Sequence, residues 1–195
     1  MKKLVPKIIL ASTSPRRKEL FGKLRLPFVT EAPDYEEDMA LKMPPLKLAK
    51  VLSNGKAVSV AKNHKAGIVI GADTFVVLNN KLLGKPKSEA EARKMLASLS
   101  GKRVDILTGM TIIDIARARK VSLTDVTKVY IKKLSPSEIN NYIASGEPMD
   151  KAGAFAIQEL GAVLIKRIEG DFMGSLGLPL FTLAKELKKL GVDVL

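Results

Sequence analysis

The sequence predicts an α/β protein built on a mixed sheet, and three observations carry this prediction. Residues 68–78, IVIGADTFVVL, form an apolar, β-branched run typical of a buried strand. Residues 45–63 and 88–101 show helical periodicity and are interleaved with strand-like runs. Residues 103–115 and 120–134 alternate like two long antiparallel strands. Because helices and antiparallel strands interleave, we expect parallel and antiparallel strands together rather than a purely parallel, doubly wound sheet.

Local signals mark where the other elements begin and end. Ser14 can cap a helix that has Pro15 at its first position, directly after a short buried strand at 7–11. Ser88 with Glu91, and Ser135 with Glu138, have the spacing of capping boxes. The other expected elements are a strand at 27–33, a turn at Asn79-Asn80, a short strand at 81–84, a helix ending at Gly146, a strand at 162–170 and a final helix ending at Gly191.

Length and composition restrict the class of protein. The 195 residues suit a single domain over residues 1–195, and 46% of them are hydrophobic, enough for a core. The formal net charge of +13 favours polyanionic partners. However, only 5% of residues are aromatic and Trp is absent, which disfavours a nucleic-acid surface built on stacked bases. We therefore do not expect specific nucleic-acid binding.

The available chemistry is also restricted. There are no cysteines and one histidine, His64, which reads as a surface residue at a polar helix end. Disulfides, thiol nucleophiles and cysteine-bound zinc are excluded, so chemistry must rest on carboxylates, Lys, Arg and hydroxyls. No apolar run approaches the ~20 residues of a membrane span, and the N-terminal run is too short for a signal peptide. The sequence predicts a cytoplasmic protein without a membrane partner.

The stretch LASTSPRRKELF, residues 10–21, predicts an anion site at the first helix. Ser12 and the other hydroxyls precede a helix start, where free backbone N–H groups suit phosphate. Arg16 and Arg17 lie in the first turn, where the helix dipole disfavours cations. A bound anion would reverse that preference. The alternative is an ordinary helix with a solvated basic face.

A second candidate is GADT, residues 71–74. Asp73 interrupts an apolar strand, and an unpaired buried carboxylate is costly. It therefore either caps a bend or binds a cation or a water, with Thr74 beside it.

Two further segments add groups suited to a nucleotide. Lys85 lies in GKP, which lacks the glycine spacing of a P-loop. Gln158 lies in the irregular loop 146–162, and its amide can donate and accept together. That pattern complements the N3–H and O4 of a uracil or thymine edge. Cations for phosphates, carboxylates for a divalent metal and an amide for a base together indicate an enzyme acting on nucleotide phosphates.

The ordered motifs resemble those of the Maf family, nucleoside triphosphate pyrophosphatases also known as septum-formation inhibitors. The resemblance extends over nearly the whole chain, and it is carried by LASTSPRRKEL, YEED, GKA, GADTFVVL, LGKPKSEAEARKMLASLSGK, SGEPMDKAGAFAIQ and GDFMGSLGLPL. It implies hydrolysis between the α and β phosphates, and the AIQ triplet resembles the branch that acts on dTTP and UTP. It also implies an elongated mixed sheet flanked by helices, as in inosine triphosphatase-like (Ham1) proteins, and a homodimer.

The resemblance also implies roles for individual residues. Asp73 corresponds to the proton acceptor that activates water. Glu37 and Asp73 correspond to ligands of Mg²⁺ or Mn²⁺. The expected substrate-binding and specificity residues are Arg16, Thr74, Gln158, Lys56, Lys85, Ser12 and Arg17. Two departures stand out: the family usually has Gly where this chain has Glu159, and a His soon after the LSG turn, which is absent here.

Three other functions compete with this interpretation. One is a broader enzyme that removes modified pyrimidine nucleotides. Another is a regulator of cell division or septum formation that acts through a partner protein. The third, a general nucleic-acid binder, is suggested by charge alone.

Overall fold

The computed structural model describes residues 6–36 and 43–195. The strands are β1 (Ile8–Ala11), β2 (Val29–Glu31), β3 (Ile68–Leu78), β4 (Lys81–Leu83), β5 (Arg103–Asp114), β6 (Arg119–Ile131) and β7 (Ile165–Glu169). The helices are α1 (Pro15–Gly22), α2 (Pro45–Ala61), α3 (Glu89–Leu99), α4 (Pro136–Ala144), α5 (Phe172–Ser175) and α6 (Leu180–Lys189).

One seven-stranded sheet organises the chain, in the order β2-β1-β3-β5-β6-β7, with β4 paired to β3. Strand β1 runs parallel to both β2 and β3. Strand β4 is antiparallel to β3, and β7 is antiparallel to β6. The prediction of a mixed sheet flanked by helices is confirmed.

The contacts within the chain define two compact units. Unit 1 comprises Met1–Thr74, Thr108–Asp125 and Met173–Leu195, and unit 2 comprises Phe75–Leu107 and Val126–Phe172. Strands β3, β5 and β6 each contribute residues to both units. A single functional domain over residues 1–195 remains a prediction.

Most of the expected element boundaries are close to those observed, with two corrections. Ser135 and Glu138 form the predicted capping box at α4. At α3, Ser88 caps the helix as expected, but the Glu91 carboxylate accepts the N–H of Lys87 and does not close a box with Ser88. Residues 160–164, partly assigned to a strand from sequence, form a 3₁₀ helix, and β7 begins only at Ile165.

Close packing of α2 against the sheet sets the geometry of unit 1. A methyl group on Gly71 would lie 2.5 Å from the Ser53 carbonyl oxygen and 2.7 Å from the Ala57 nitrogen. Gly109 likewise leaves room for the backbone of Ala49. These two glycines allow the helix backbone to approach β3 and β5 directly, which explains why small residues occupy those strand positions.

Gly55 lowers the intrinsic helix propensity of α2, and close packing explains why glycine occupies this position. A side chain there would collide with the ring of Tyr35, so the aromatic residue of the YEED motif packs against the helix next to Lys56. Within residues 6–36 and 43–195, no helix is long and apolar enough to cross a bilayer.

Candidate active site

Asp73 forms a buried ion pair with Lys56 in unit 1. Lys56 Nζ donates to Asp73 Oδ1 at 2.5 Å, and the two side chains are 8% and 10% exposed. The sequence left open whether Asp73 caps a bend or binds a cation or a water. The structure provides a cation from the protein itself, so this carboxylate is not buried alone.

The local fold explains how Lys56 reaches Asp73. Lys56 precedes Ala57, whose nitrogen lies against Gly71, and Asp73 follows two positions along β3. Residues two apart on a strand point to the same face. Because Gly71 has no side chain, the lysine can project from the helix into the space beside the carboxylate.

Thr74 connects Arg17 to a chain of hydroxyl groups. Arg17 Nη2 donates to Thr74 Oγ1 at 3.2 Å, and Thr74 Oγ1 lies 2.9 Å from Thr108 Oγ1. Thr108 donates to the Gly174 carbonyl oxygen at 2.7 Å. Since arginine only donates and a carbonyl only accepts, the chain runs from Arg17 through Thr74 and Thr108 to Gly174. The Thr74 hydroxyl therefore holds the Arg17 side chain, and Thr74 directly follows Asp73 in the sequence.

A second contact fixes the same guanidinium. Arg17 Nε donates to the Gly177 carbonyl oxygen at 3.0 Å. Gly177 has φ of +120°, and a methyl group there would lie 3.4 Å from Arg17 Nε. The GDFMGSLGLPL segment thus forms part of the surroundings of Arg17, although its sequence pattern predicts no specific role for its residues.

The start of α1 is built as predicted. Ser14 caps the helix and accepts from the Arg17 backbone nitrogen, while Ser12 Oγ accepts from the Ser14 nitrogen at 3.2 Å. Ser12 is buried, and Arg16 and Arg17 are half-buried. Ser12, Arg16, Arg17, Lys56, Asp73 and Thr74 all belong to unit 1.

Lys85 and Gln158 belong to unit 2, where a backbone contact joins their loops. The Gly153 nitrogen donates to the Gly84 carbonyl oxygen at 2.9 Å. Lys85 and Gln158 are both exposed. Lys151, between the two segments in sequence order, contacts Asp150 at 2.9 Å and Glu159 at 3.4 Å. Glu159 thus takes part in an ion pair within this loop.

Of the two predicted metal ligands, Asp73 lies among the described residues. Glu37 lies outside the described residues, and its role as a ligand remains a prediction. Across residues 6–36 and 43–195, no three His, Asp or Glu side chains converge to hold an ion. A single carboxylate such as Asp73 is compatible with Mg²⁺ binding, because Mg²⁺ is commonly bound by one or two carboxylates together with waters and substrate phosphate oxygens.

His64 pairs with Glu31 through an Nε2–Oε2 distance of 2.7 Å. Hydrogen bonds from Asn63 and His64 hold the pKa of Glu31 below its ordinary value. The histidine is thus partly buried in a local cluster rather than a fully exposed surface residue.

Comparison with known proteins identifies the family to which the chain belongs. The profile described as "Maf-like protein" matches residues 7–190, so the chain belongs to the Maf family. This confirms the resemblance seen in the motifs.

Three relatives illustrate the similarity. The dTTP/UTP pyrophosphatase of Methanosarcina barkeri is 48% identical over 188 residues, covering 96% of this chain and 95% of the relative. That of Methanosarcina mazei is 47% identical, covering 96% of each chain. That of Carboxydothermus hydrogenoformans is 43% identical, covering 95% of this chain and 99% of the relative.

Among solved structures, the Staphylococcus aureus Ham1 protein is similar with a TM-score of 0.47 and 16% identity. The similarity covers 64% of this chain and 71% of the Ham1 chain.

Proposed function

We propose that this protein hydrolyses dTTP and UTP to the nucleoside monophosphate and pyrophosphate. The observation that carries the proposal is the buried Asp73–Lys56 pair, which lies at the motif position where the family resemblance expects the group that activates water. The relatives named dTTP/UTP pyrophosphatase, similar over nearly their whole length, support the substrate class.

In this reaction a water oxygen attacks the α phosphorus, and the bond from that phosphorus to the α–β bridging oxygen breaks. Pyrophosphate leaves with the bonding electrons, and the water loses a proton. Lys56 already donates to Oδ1 of Asp73, so we assign uptake of the water proton to Oδ2. Losing such a positioned base typically slows turnover by ~10²–10⁴-fold.

Arginine and lysine side chains supply the charge that balances the phosphates. Charge-assisted bonds from guanidinium to phosphate are among the stronger hydrogen bonds in proteins. Arg17 is fixed by Thr74 and Gly177, so its guanidinium is oriented before substrate arrives. We assign phosphate binding to Arg16, Arg17 and Lys85, and the helix start near Ser12 adds backbone N–H groups.

We also infer a requirement for a divalent cation, Mg²⁺ or Mn²⁺, held by the carboxylate of Asp73 together with Glu37. When bound, such an ion withdraws electron density from phosphate oxygens and neutralises their charge. Excess chelator should stop hydrolysis, and added Mg²⁺ or Mn²⁺ should restore it. Full activity in chelator would contradict the inference.

The base specificity is assigned to Gln158, whose amide matches the N3–H donor and O4 acceptor of uracil and thymine. A panel of nucleoside triphosphates, with released pyrophosphate as the measurement, tests the function. We expect dTTP and UTP to be preferred over CTP and purine nucleotides, and Gln158→Ala to lose the preference. Equal turnover of all triphosphates by the wild type would contradict the assignment.

Two finer properties are proposed on the family resemblance alone. They are assembly as a homodimer and residence in the cytoplasm. Sedimentation of the purified protein would test the first, and a mass equal to one chain of 21.2 kDa would contradict it.

A further inference from the structure

The loop that carries Gln158 is held by side chains on both sides of that residue. Three 3₁₀ turns, Glu147–Asp150, Ala152–Ala154 and Leu160–Leu164, surround a bend at residues 157–159. Ala156 and Ile157 are buried, whereas Gln158 is exposed. The amide thus projects from a short exposed segment between anchored neighbours.

Tyr142 anchors the near side of this segment. The Ala156 nitrogen donates to Tyr142 Oη at 3.1 Å, and Tyr142 Oη donates to Glu147 Oε1 at 2.7 Å. Tyr142 is buried on α4, so its hydroxyl has a fixed position. This anchor lies two residues before Gln158.

Glu147 anchors the far side. Its Oε2 accepts from the Leu160 nitrogen at 2.8 Å, and its Oε1 accepts from the Gly161 nitrogen at 2.8 Å. A methyl group on Gly161 would lie 2.5 Å from Tyr142 Oη, so glycine permits this closure. One carboxylate therefore joins the tyrosine to two backbone positions that follow Gln158.

The ionisation of the pair supports the same arrangement. Burial and the hydrogen bond to Glu147 raise the pKa of Tyr142. Burial alone would raise the pKa of Glu147, but bonds from Tyr142 and the two backbone N–H groups hold it below its ordinary value. The phenol therefore remains a donor and the carboxylate remains an acceptor across neutral pH.

A glutamine amide does not distinguish uracil from cytosine by itself. Turning the amide by 180° exchanges its oxygen and nitrogen, and the turned group matches the N3 acceptor and amino donor of cytosine. Selection of uracil therefore depends on where the protein presents this amide relative to the base.

We propose that Tyr142 and Glu147 are positioning residues for base selection, which hold the backbone on either side of Gln158 and so set the place from which its amide meets uracil or thymine. The proposal rests on the proposed function, because it concerns selection among pyrimidine triphosphates. Neither residue contacts the base in this account; both act through the loop.

The test compares Tyr142→Phe and Glu147→Gln with Tyr130→Phe as a matched control. Tyr130 Oη also donates to a glutamate, Glu169, at 3.1 Å, but this pair joins β6 to β7 and is not bonded to the loop. For each protein, kcat/KM is measured for UTP and for CTP. The ratio of the two does not depend on the fraction of enzyme that is folded, so a loss of stability alone leaves it unchanged.

We expect the UTP/CTP ratio to fall by roughly 2- to 12-fold in the two loop variants, the effect of losing one hydrogen bond, and to be unchanged in Tyr130→Phe. Equal loss of activity on UTP and CTP in the loop variants would overturn the proposal.

Hydrogen exchange of the Ala156, Leu160 and Gly161 amides provides a readout that does not require activity. If the wild type hydrolyses neither substrate, the proposed function fails, and exchange then tests only the anchoring of the loop by Tyr142 and Glu147. Faster exchange at these amides in Tyr142→Phe than in Tyr130→Phe supports it, and unchanged exchange overturns it.

Discussion

Variants of the Asp73–Lys56 pair should separate effects on stability from effects on activity. Asp73→Asn removes the charge that balances Lys56, although both side chains are about nine-tenths buried. Breaking a buried pair by removing one partner typically costs about 3–5 kcal/mol, because it leaves a buried charge without compensation. At about 2–4 °C per kcal/mol for a chain of this size, the melting temperature should fall by roughly 6–20 °C.

Lys56→Met, which leaves Asp73 unpaired, should destabilise the protein by a similar amount. The double variant, Asp73→Asn with Lys56→Met, buries no uncompensated charge and should recover most of the lost stability. It should not recover activity, since the base is absent. Thermal unfolding of the wild type and the three variants gives the coupling energy between the two residues.

Pyrophosphate release, measured well below each melting temperature, gives the activity of the same proteins. We expect the loss on Asp73→Asn to be ~10²–10⁴-fold. Strictly additive stability losses would show that the pair is not coupled as its geometry indicates. Wild-type turnover by the folded Asp73→Asn variant would remove this carboxylate from the mechanism.

Three further predictions test the structure around the site. Gly71→Ala should lower the free energy of unfolding by about 1–3 kcal/mol and reduce activity, because the new methyl group displaces α2. Gly22→Ala places its methyl group in open space and should not destabilise the protein, so thermal unfolding distinguishes the two variants. Thr108→Val should lower kcat/KM and cost about 1–3 kcal/mol, because the Gly174 carbonyl loses its donor, and Thr108→Ser should restore both. Lys132 and the cap at α4 lower the pKa of Glu138 from 4.5 to about 2. Because the pKa is depressed in the folded state, the ionised Glu138 side chain stabilises the protein above pH 4.5, and this stabilisation is lost as the pH falls towards 2. Unfolding measured from pH 5 to pH 2 should therefore show a weaker pH dependence in Glu138→Gln, and an unchanged dependence would contradict the assignment.

The sequence predicts the parts of the fold that depend on local chemistry. The strand at 68–78, the caps at Ser14 and Ser135 and the Asn79-Asn80 turn follow from periodicity and from residues that prefer those conformations. The 3₁₀ helix at 160–164 is missed, because AVLI in isolation reads as the start of a strand. Its backbone is instead held by Glu147, which no local pattern signals.

The site residues are predicted by type, whereas their partners are not. Asp73 is conspicuous as a carboxylate in an apolar strand, but Lys56 lies 17 positions earlier on a helix, and their contact depends on the close approach at Gly71. Arg17 and Gly177 are 160 positions apart, and Thr108 is an ordinary residue of a long strand. The glycines at 71, 109 and 177 are the signal that could have indicated close backbone approach at these places.

The phosphorus atom that water attacks distinguishes a nucleoside triphosphate pyrophosphatase from other triphosphate hydrolases. UTP is hydrolysed in ¹⁸O-labelled water, and the separated products are analysed by mass spectrometry. The position of the label shows which phosphorus receives the water oxygen. We expect UMP and pyrophosphate in equal amounts, with one labelled oxygen in UMP and none in pyrophosphate. Label in pyrophosphate, or the formation of UDP and inorganic phosphate, would contradict it.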